Sequence, residues 1–343
     1  MQIFLYFCSD FYRTTMETNS QLERILSLYD SQQIFVIADV NAHYEHVLGA
    51  LPYPTLQLSV SAATKSLDRV TEMWDFLNNH HATRHALLVL IGGGTLTDMG
   101  GFAAATYLRG IDYVNVPTTL LAMVDASIGG KTGVNYAGLK NRIGAFHQPI
   151  DVVIEPRFLE TLPEIEWLSG WGEIIKTTLL SESHPILHNP SEQREAILPI
   201  IRACAAYKKA IVADDPTEQG LRKVLNLGHT VGHALEEVAG GQMAHGYAVV
   251  YGLVAALYLS VVRLDFPREI LTQVTHIMVE EYGRPICNCK EIDTLIDKMR
   301  ADKKNATHDG ILFTLLRQPG EPVYNQAIPE QQIREAVDYL FSV

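Results

Sequence analysis

Cysteine is scarce. The 343 residues hold four, Cys8, Cys204, Cys287 and Cys289. The last two are separated by one residue, which makes neither a CxxC redox pair nor a zinc ribbon, so reduced thiols in a cytoplasmic protein are expected. Charged residues are also few, 19% against 47% apolar, a balance that excludes a disordered chain and supplies a large core. No apolar run approaches the length of a membrane span, so no membrane association is expected. The stretch Met1–Cys8 has no basic leader and too short an apolar core for a signal peptide. Residues 1–15 read as frayed or as a mis-assigned start, ahead of a cleaner helical pattern from Met16. A basic run is missing too. With a net charge of -12 and a pI of about 5.5, a nucleic-acid partner is not expected, although local cations can still make a cleft for a small anion. Repeats and low-complexity tracts are absent.

Two familiar motifs fail on single residues. Gly130-Lys131-Thr132 would end a Walker A loop only with glycine at 125, where Asp125 stands. His229 and His233 lie four residues apart, but no glutamate follows His229 and Gly232 precedes His233, so this is not the metalloprotease pattern.

What is present divides in two. Residues 16–150 alternate apolar strand runs with amphipathic helical patterns. Strands are expected at Ile34–Ala38, Leu56–Val60, Ala86–Ile91 and Tyr113–Val116. Helices are expected at Ser66–Asn79, with Ser66 as N-cap, and at Leu96–Leu108. That alternation argues an α/β domain with a parallel sheet covered on both faces. From about residue 160 long helical segments take over: Glu164–Glu182, Ser191–Asp214, Glu218–Glu237, Tyr247–Leu264, Arg268–Glu281, Glu291–Arg300 and Pro329–Phe341. One hairpin, Gly310–Leu316 with Pro322–Tyr324, interrupts them. The boundary is placed at residue 157, giving an α/β domain over 1–157 and an α-helical domain over 158–343.

Chemistry concentrates in three places. On a helix, His229 and His233 would share one face, and with His245 and Glu173 they would supply nitrogen and carboxylate donors for a catalytic metal with a position left open. Ordinary polar residues of a helix would look the same. The Gly92-Gly93-Gly94 turn between a strand and a helix suits close approach of a phosphate to backbone N–H groups, but Thr97 holds the third place of GxGxxG, and a plain tight turn fits as well. Lys131, in Gly129-Gly130-Lys131-Thr132, can grip an anion from a Gly-rich turn, with Lys140 and Asn141 following.

Taken together the motifs resemble 3-dehydroquinate synthase. The residues that carry the resemblance are Gly92–Asp98, Ala105–Gly110, Val116–Thr132, Lys140–Pro149, Gly172–Lys176, Gly220–Ala234 and Asp302–Lys304, in family order over roughly residues 30–320. The resemblance implies a Rossmann-like NAD-binding domain followed by an all-α metal-binding domain, in a homodimer. It implies conversion of 3-deoxy-D-arabino-heptulosonate 7-phosphate, a small anionic sugar phosphate, to 3-dehydroquinate and phosphate. The implied route is oxidation by NAD, loss of phosphate, return of the hydride and an intramolecular aldol closure. Another sugar-phosphate cyclase and a metal-dependent polyol dehydrogenase are the alternatives.

By the same resemblance, Glu173, His229 and His245 bind zinc or cobalt, and His233 sits by the substrate as a proton-handling group. Asp125, Lys131, Lys176, Lys208, Arg222, Asn226 and a lysine of the pair Lys303 and Lys304 line the substrate pocket. Lys131 and Asn141 hold the phosphate end, and Arg109 reaches into the partner subunit's site. The NAD contacts fall on Asp39, Asn41, Lys65, Gly93, Gly94, Asp98, Thr118, Thr119, Asp125, Lys131, Lys140, Phe158 and Thr161. Three positions depart from the family pattern: Ala62 where an acid is common, Thr97 where a glycine is usual, and Tyr247 where a glutamate is usual.

Overall fold

The computed structural model describes residues 21–181, 190, 193–285, 292–301, 306–307 and 310–343. They form two units, Met1–Leu162 and Pro163–Val343. The sequence boundary at 157 falls inside the 3-10 turn Pro156–Thr161 that closes the first unit.

The first unit is built on a five-stranded, all-parallel sheet. Its strands are β1 (Ile34–Asp39), β2 (Thr55–Leu58), β3 (Leu87–Gly92), β4 (Asp112–Pro117) and, after the hairpin described below, β7 (Asp151–Val152), in the order β2-β1-β3-β4-β7. One row of partners, Thr55, Val36, Val89, Val114 and Asp151, crosses the whole sheet. β3 is buried along its full length and β1 except at Asp39, as strands covered on both faces must be. On one face, Phe35, Ile37, Leu88 and Leu90 meet helices α1 (Leu67–Asn79) and α2 (Gly94–Thr106) through Val70, Met73, Leu77, Leu96 and Met99. Met73 and Leu77 are fully buried, each stabilising the fold by about 1.5–3 kcal/mol. Ser66 does precede α1, but its side chain makes no capping bond. The helix expected at Leu96–Leu108 starts two residues earlier and stops at Thr106.

The sequence reading left out a hairpin. β5 (Lys131–Tyr136) pairs antiparallel with β6 (Leu139–Phe146). Lys131, expected in a turn, opens β5 opposite Phe146, and the Gly129-Gly130 turn ends just before it.

The second unit is mainly helical: α3 (Glu164–Leu180), α4 (Ile197–Asp214), α5 (His229–Val238), α6 (His245–Leu264), α7 (Arg268–Ile277), α8 (Ile292–Ala301) and α9 (Glu330–Ser342). β9 (Gly310–Leu316) pairs with β10 (Pro322–Ile328), and β8 (Ala306–Thr307) adds a short edge. Two expectations need correction. The single helix expected over 218–237 is broken. A 3-10 turn, Leu221–Asn226, precedes Gly228, whose φ of 78° lies in the left-handed region, and α5 starts only at His229. A side chain at 228 would also press on Leu253, 3.0 Å away. The expectation that no apolar run approaches a membrane span is corrected by α6, which at 20 residues is long and apolar enough by length and composition. Its most apolar stretch is 67% buried, and it packs against α3, α5 and α9 as a core helix.

Candidate functional site

The donor atoms of Glu173, His229 and His245 lie within 4.8 Å of one another. Three separate helices deliver them. Glu173 is in the interior of α3, His229 is the first residue of α5 and His245 the first of α6. α6 crosses both others, and a glycine beside a ligand permits one of those crossings. A Cβ on Gly172 would stand 2.5 Å from the Gly246 carbonyl oxygen.

Each of these side chains is oriented from behind. His229 Nδ1 donates to the Leu227 carbonyl oxygen at 3.0 Å, which turns Nε2 inward, 3.4 Å from Glu173 Oε1. His245 Nε2 is 2.9 Å from the same Oε1, while its Nδ1 is 3.3 Å from Glu236 Oε1. Glu173 is fully buried, with Oε2 2.5 Å from Lys176 Nζ. Burial would raise the Glu173 pKa, but Lys176, His229 and His245 hold it well below the ordinary carboxylate value. Burial would lower that of His245, but the hydrogen bonds and charges of Glu173 and Glu236 push it up to about 10. Two neutral-capable imidazoles and a permanent carboxylate, gathered where a cation is strongly favoured, fit a divalent metal with three protein ligands and an open position.

His233 stands beside this group. Its ring is 5.2 Å from that of His229 and 6.3 Å from that of His245, and it is exposed. The i, i+4 spacing therefore brings the two imidazoles of α5 together while the ligand set closes through His245. Lys208, on α4, is buried. Arg222 is 1% exposed, with Nη1 donating to the Pro216 carbonyl at 2.6 Å and its backbone N–H to Asp215 Oδ2 at 3.1 Å. Asn226 Nδ2 donates to Glu218 Oε1 at 3.1 Å. Lys303 and Lys304 lie outside the described residues, as do Cys8, Cys287 and Cys289; Cys204 is buried on α4.

In the first unit the expected cofactor residues gather at the carboxyl ends of the parallel strands. Asp39 ends β1 and caps the Asn41 N–H at 3.0 Å, Gly93 and Gly94 follow β3, and Thr118 and Thr119 follow β4. Phe158, buried, and Thr161, exposed, lie in the turn after β7. The strand order reverses between β1 and β3, the place where doubly wound sheets take nucleotides. Gly93 is the N-cap of α2, so the N-terminal end of that helix, where the dipole favours an anion, faces that edge. Thr97 is accommodated there, its hydroxyl donating to the Gly94 carbonyl at 3.1 Å. The buried ammonium of Lys65 reaches Asp98 at 2.6 Å and also bonds Asn141 of β6. Lys131, Lys140 and Asn141 are exposed on the hairpin, and Asp125 is half-buried in the π-helical turn Ala122–Ala126. Arg109 is exposed next to Leu108, and both have left-handed backbones, with φ of 68° and 49°.

Comparison with known proteins settles the family. The 3-dehydroquinate synthase N-terminal family model matches residues 55–169, and the 3-dehydroquinate synthase C-terminal model matches 170–305. The chain belongs to the 3-dehydroquinate synthase family. It is 39% identical over 338 residues to the 3-dehydroquinate synthase of Parabacteroides distasonis, covering 94% of this chain and 95% of that one. Among solved structures, 2-deoxy-scyllo-inosose synthase complexed with carbaglucose-6-phosphate, NAD+ and Co2+ superposes with a TM-score of 0.77 at 25% identity, over 93% of this chain and 94% of that one. A 2-epi-5-epi-valiolone synthase from Streptomyces hygroscopicus subsp. jinggangensis, with NAD+ and Zn2+ bound, gives 0.77 at 25% identity, over 90% and 91%.

The pattern reading did not find Glu236. Its signal was available in this family member: an acid seven residues after His229 on one helix, hence on the same face. Tyr247, at the third departure, stacks edge-on against Tyr282, ring centres 5.0 Å apart.

Proposed function

We propose that the chain is a 3-dehydroquinate synthase, an enzyme that converts 3-deoxy-D-arabino-heptulosonate 7-phosphate to 3-dehydroquinate and phosphate, with NAD and a divalent metal. The observation that carries this reading is the match of both halves of the chain to that family, joined to the meeting of Glu173, His229 and His245. Identity of 39% to a 3-dehydroquinate synthase, against 25% to cyclases closing other sugars, favours this substrate over theirs.

Glu173, His229 and His245 would hold the metal, and the carboxyl-edge residues of the first unit, Asp39, Asn41, Lys65, Gly93, Gly94, Asp98, Thr118, Thr119, Lys140, Phe158 and Thr161, would hold NAD. When bound, the two supply acidification of a substrate hydroxyl and a reversible hydride acceptor. The chain's own residues do the rest. Lys131 and Asn141 grip the phosphate, while Lys176, Lys208, Arg222 and a lysine of 303–304 offset the substrate's negative charge. Asn226 and Asp125 orient hydroxyls, and His233 exchanges a proton with the substrate. With NAD bound, oxidation of that hydroxyl would acidify the neighbouring C–H and let phosphate leave, and return of the hydride would leave no net redox change. We place the enzyme in the cytoplasm as a homodimer with Arg109 reaching the partner's site. The support is membership of the 3-dehydroquinate synthase family, with Arg109 exposed in the turn ahead of β4.

Product analysis with candidate sugar phosphates tests the assignment. Phosphate and 3-dehydroquinate from the heptulosonate phosphate are expected. Turnover of a hexose or another heptulose phosphate instead would assign the chain to a sister activity.

A further inference from the structure

Glu236 has no part in the reaction as described, yet it is a carboxylate only 5% exposed. An isolated buried carboxylate is costly, so its partner matters. It lies seven residues after His229 and three after His233 on α5, and its Oε1 sits 3.3 Å from His245 Nδ1, the ring nitrogen that faces away from Glu173. The next residue shows the contrast: Glu237 turns outward to Lys298 at 3.2 Å, an exposed pair of the kind that contributes little.

The two histidines are thus held differently. His229 is backed by a carbonyl oxygen, that of Leu227, while His245 is backed by a full negative charge. A carboxylate can only accept a hydrogen bond, so Nδ1 is turned to donate to Glu236, which leaves Nε2 facing Glu173 and the position a metal would take. It also makes the imidazole a stronger base toward a metal and stops rotation of a side chain that is 30% exposed. We propose that Glu236 is a positioning residue for the metal centre, orienting His245 through Nδ1 and strengthening its bond to the ion. This rests on the reading of Glu173, His229 and His245 as metal ligands.

The test compares metal affinity, not turnover. Zinc is titrated into metal-free parent, Glu236→Gln and Glu236→Asp in competition with a chromophoric chelator, and thermal unfolding of each metal-free protein is recorded. Removal of such an outer carboxylate typically weakens binding about 10–100-fold, the loss expected for Glu236→Gln with the unfolding midpoint of the metal-free protein not lowered. Glu236→Asp, which keeps the charge but withdraws it by one methylene, should fall between and serves if the glutamine variant does not fold. The visible absorption of cobalt-loaded protein should change shape in both variants. Parent-like zinc affinity and cobalt spectrum in a folded variant would overturn the role of Glu236 while leaving the metal centre standing. A parent that takes up no ion would overturn both.

Discussion

Gly246 lies against the backbone of Ser169 so closely that a Cβ at 246 would stand 1.9 Å from the Ser169 carbonyl oxygen. The Gly246 N–H also donates to Ser169 Oγ at 3.0 Å. This contact fixes the crossing of α3 and α6, with His245 adjacent to it and Glu173 one helical turn along α3. Gly246→Ala should therefore push the helices apart, destabilise the protein by about 1–3 kcal/mol as overpacking does, and lower metal occupancy. Thermal unfolding and metal analysis check this. A variant with the parent's midpoint and full occupancy would mean that the crossing tolerates the methyl group.

Removing a ligand is more direct. In His229→Ala the remaining donors, Glu173 and His245, are too few for a structural hold on the ion. Metal content by elemental analysis and activity should both be lost. Full occupancy in this variant would remove His229 from the ligand set.

Lys131 opens β5 and is exposed at the mouth of the hairpin, where a phosphate can reach it. Lys131→Ala should weaken binding of the heptulosonate phosphate by about 2–5 kcal/mol, as for loss of one partner of a desolvated charge pair. Steady-state kinetics indistinguishable from the parent's would make it a surface residue.

Ala62 begins the short 3-10 turn Ala62–Thr64 beyond β2, closed by Ser61 and Thr64, and its side chain is exposed. With no carboxylate there for a ribose, NAD binding forgoes about 1.5–3 kcal/mol of charged hydrogen bonding. Ala62→Glu should bind NAD correspondingly tighter by calorimetry. No gain would mean that the ribose takes another path.

The sheet was legible because β1 and β3 carry unbroken apolar runs, Ile34–Ala38 and Leu87–Ile91, and the apolar run of β4 is interrupted only at Asn115. The hairpin of β5 and β6 was not. Six of the eight residues of β6 are exposed, so no apolar alternation marks it. The break before His229 was hidden for the opposite reason: apolar residues continue on both sides, while Leu227 turns extended and Gly228 left-handed before α5 begins. At the metal centre, spacing exposed the neighbouring pair His229 and His233. Nothing local could join His245 to Glu173, 72 residues away, because a helix crossing makes that contact. The resemblance supplied that set, and the structure brings its donors together. Glu236 was missed because an acid on a helix is ordinary until its burial is known.

The central claim is that oxidation and phosphate loss occur on one substrate and that NAD emerges unchanged. Substrate deuterated at the oxidised carbon, incubated with enzyme, metal and catalytic NAD, tests this most directly. Released phosphate, reduced-nicotinamide absorbance and label in the product are followed together. The account predicts phosphate release far beyond the NAD supplied, no accumulation of NADH, and deuterium retained at its original carbon. Stoichiometric NADH, or product stripped of deuterium to the cofactor pool, would contradict it and leave a dehydrogenase in its place.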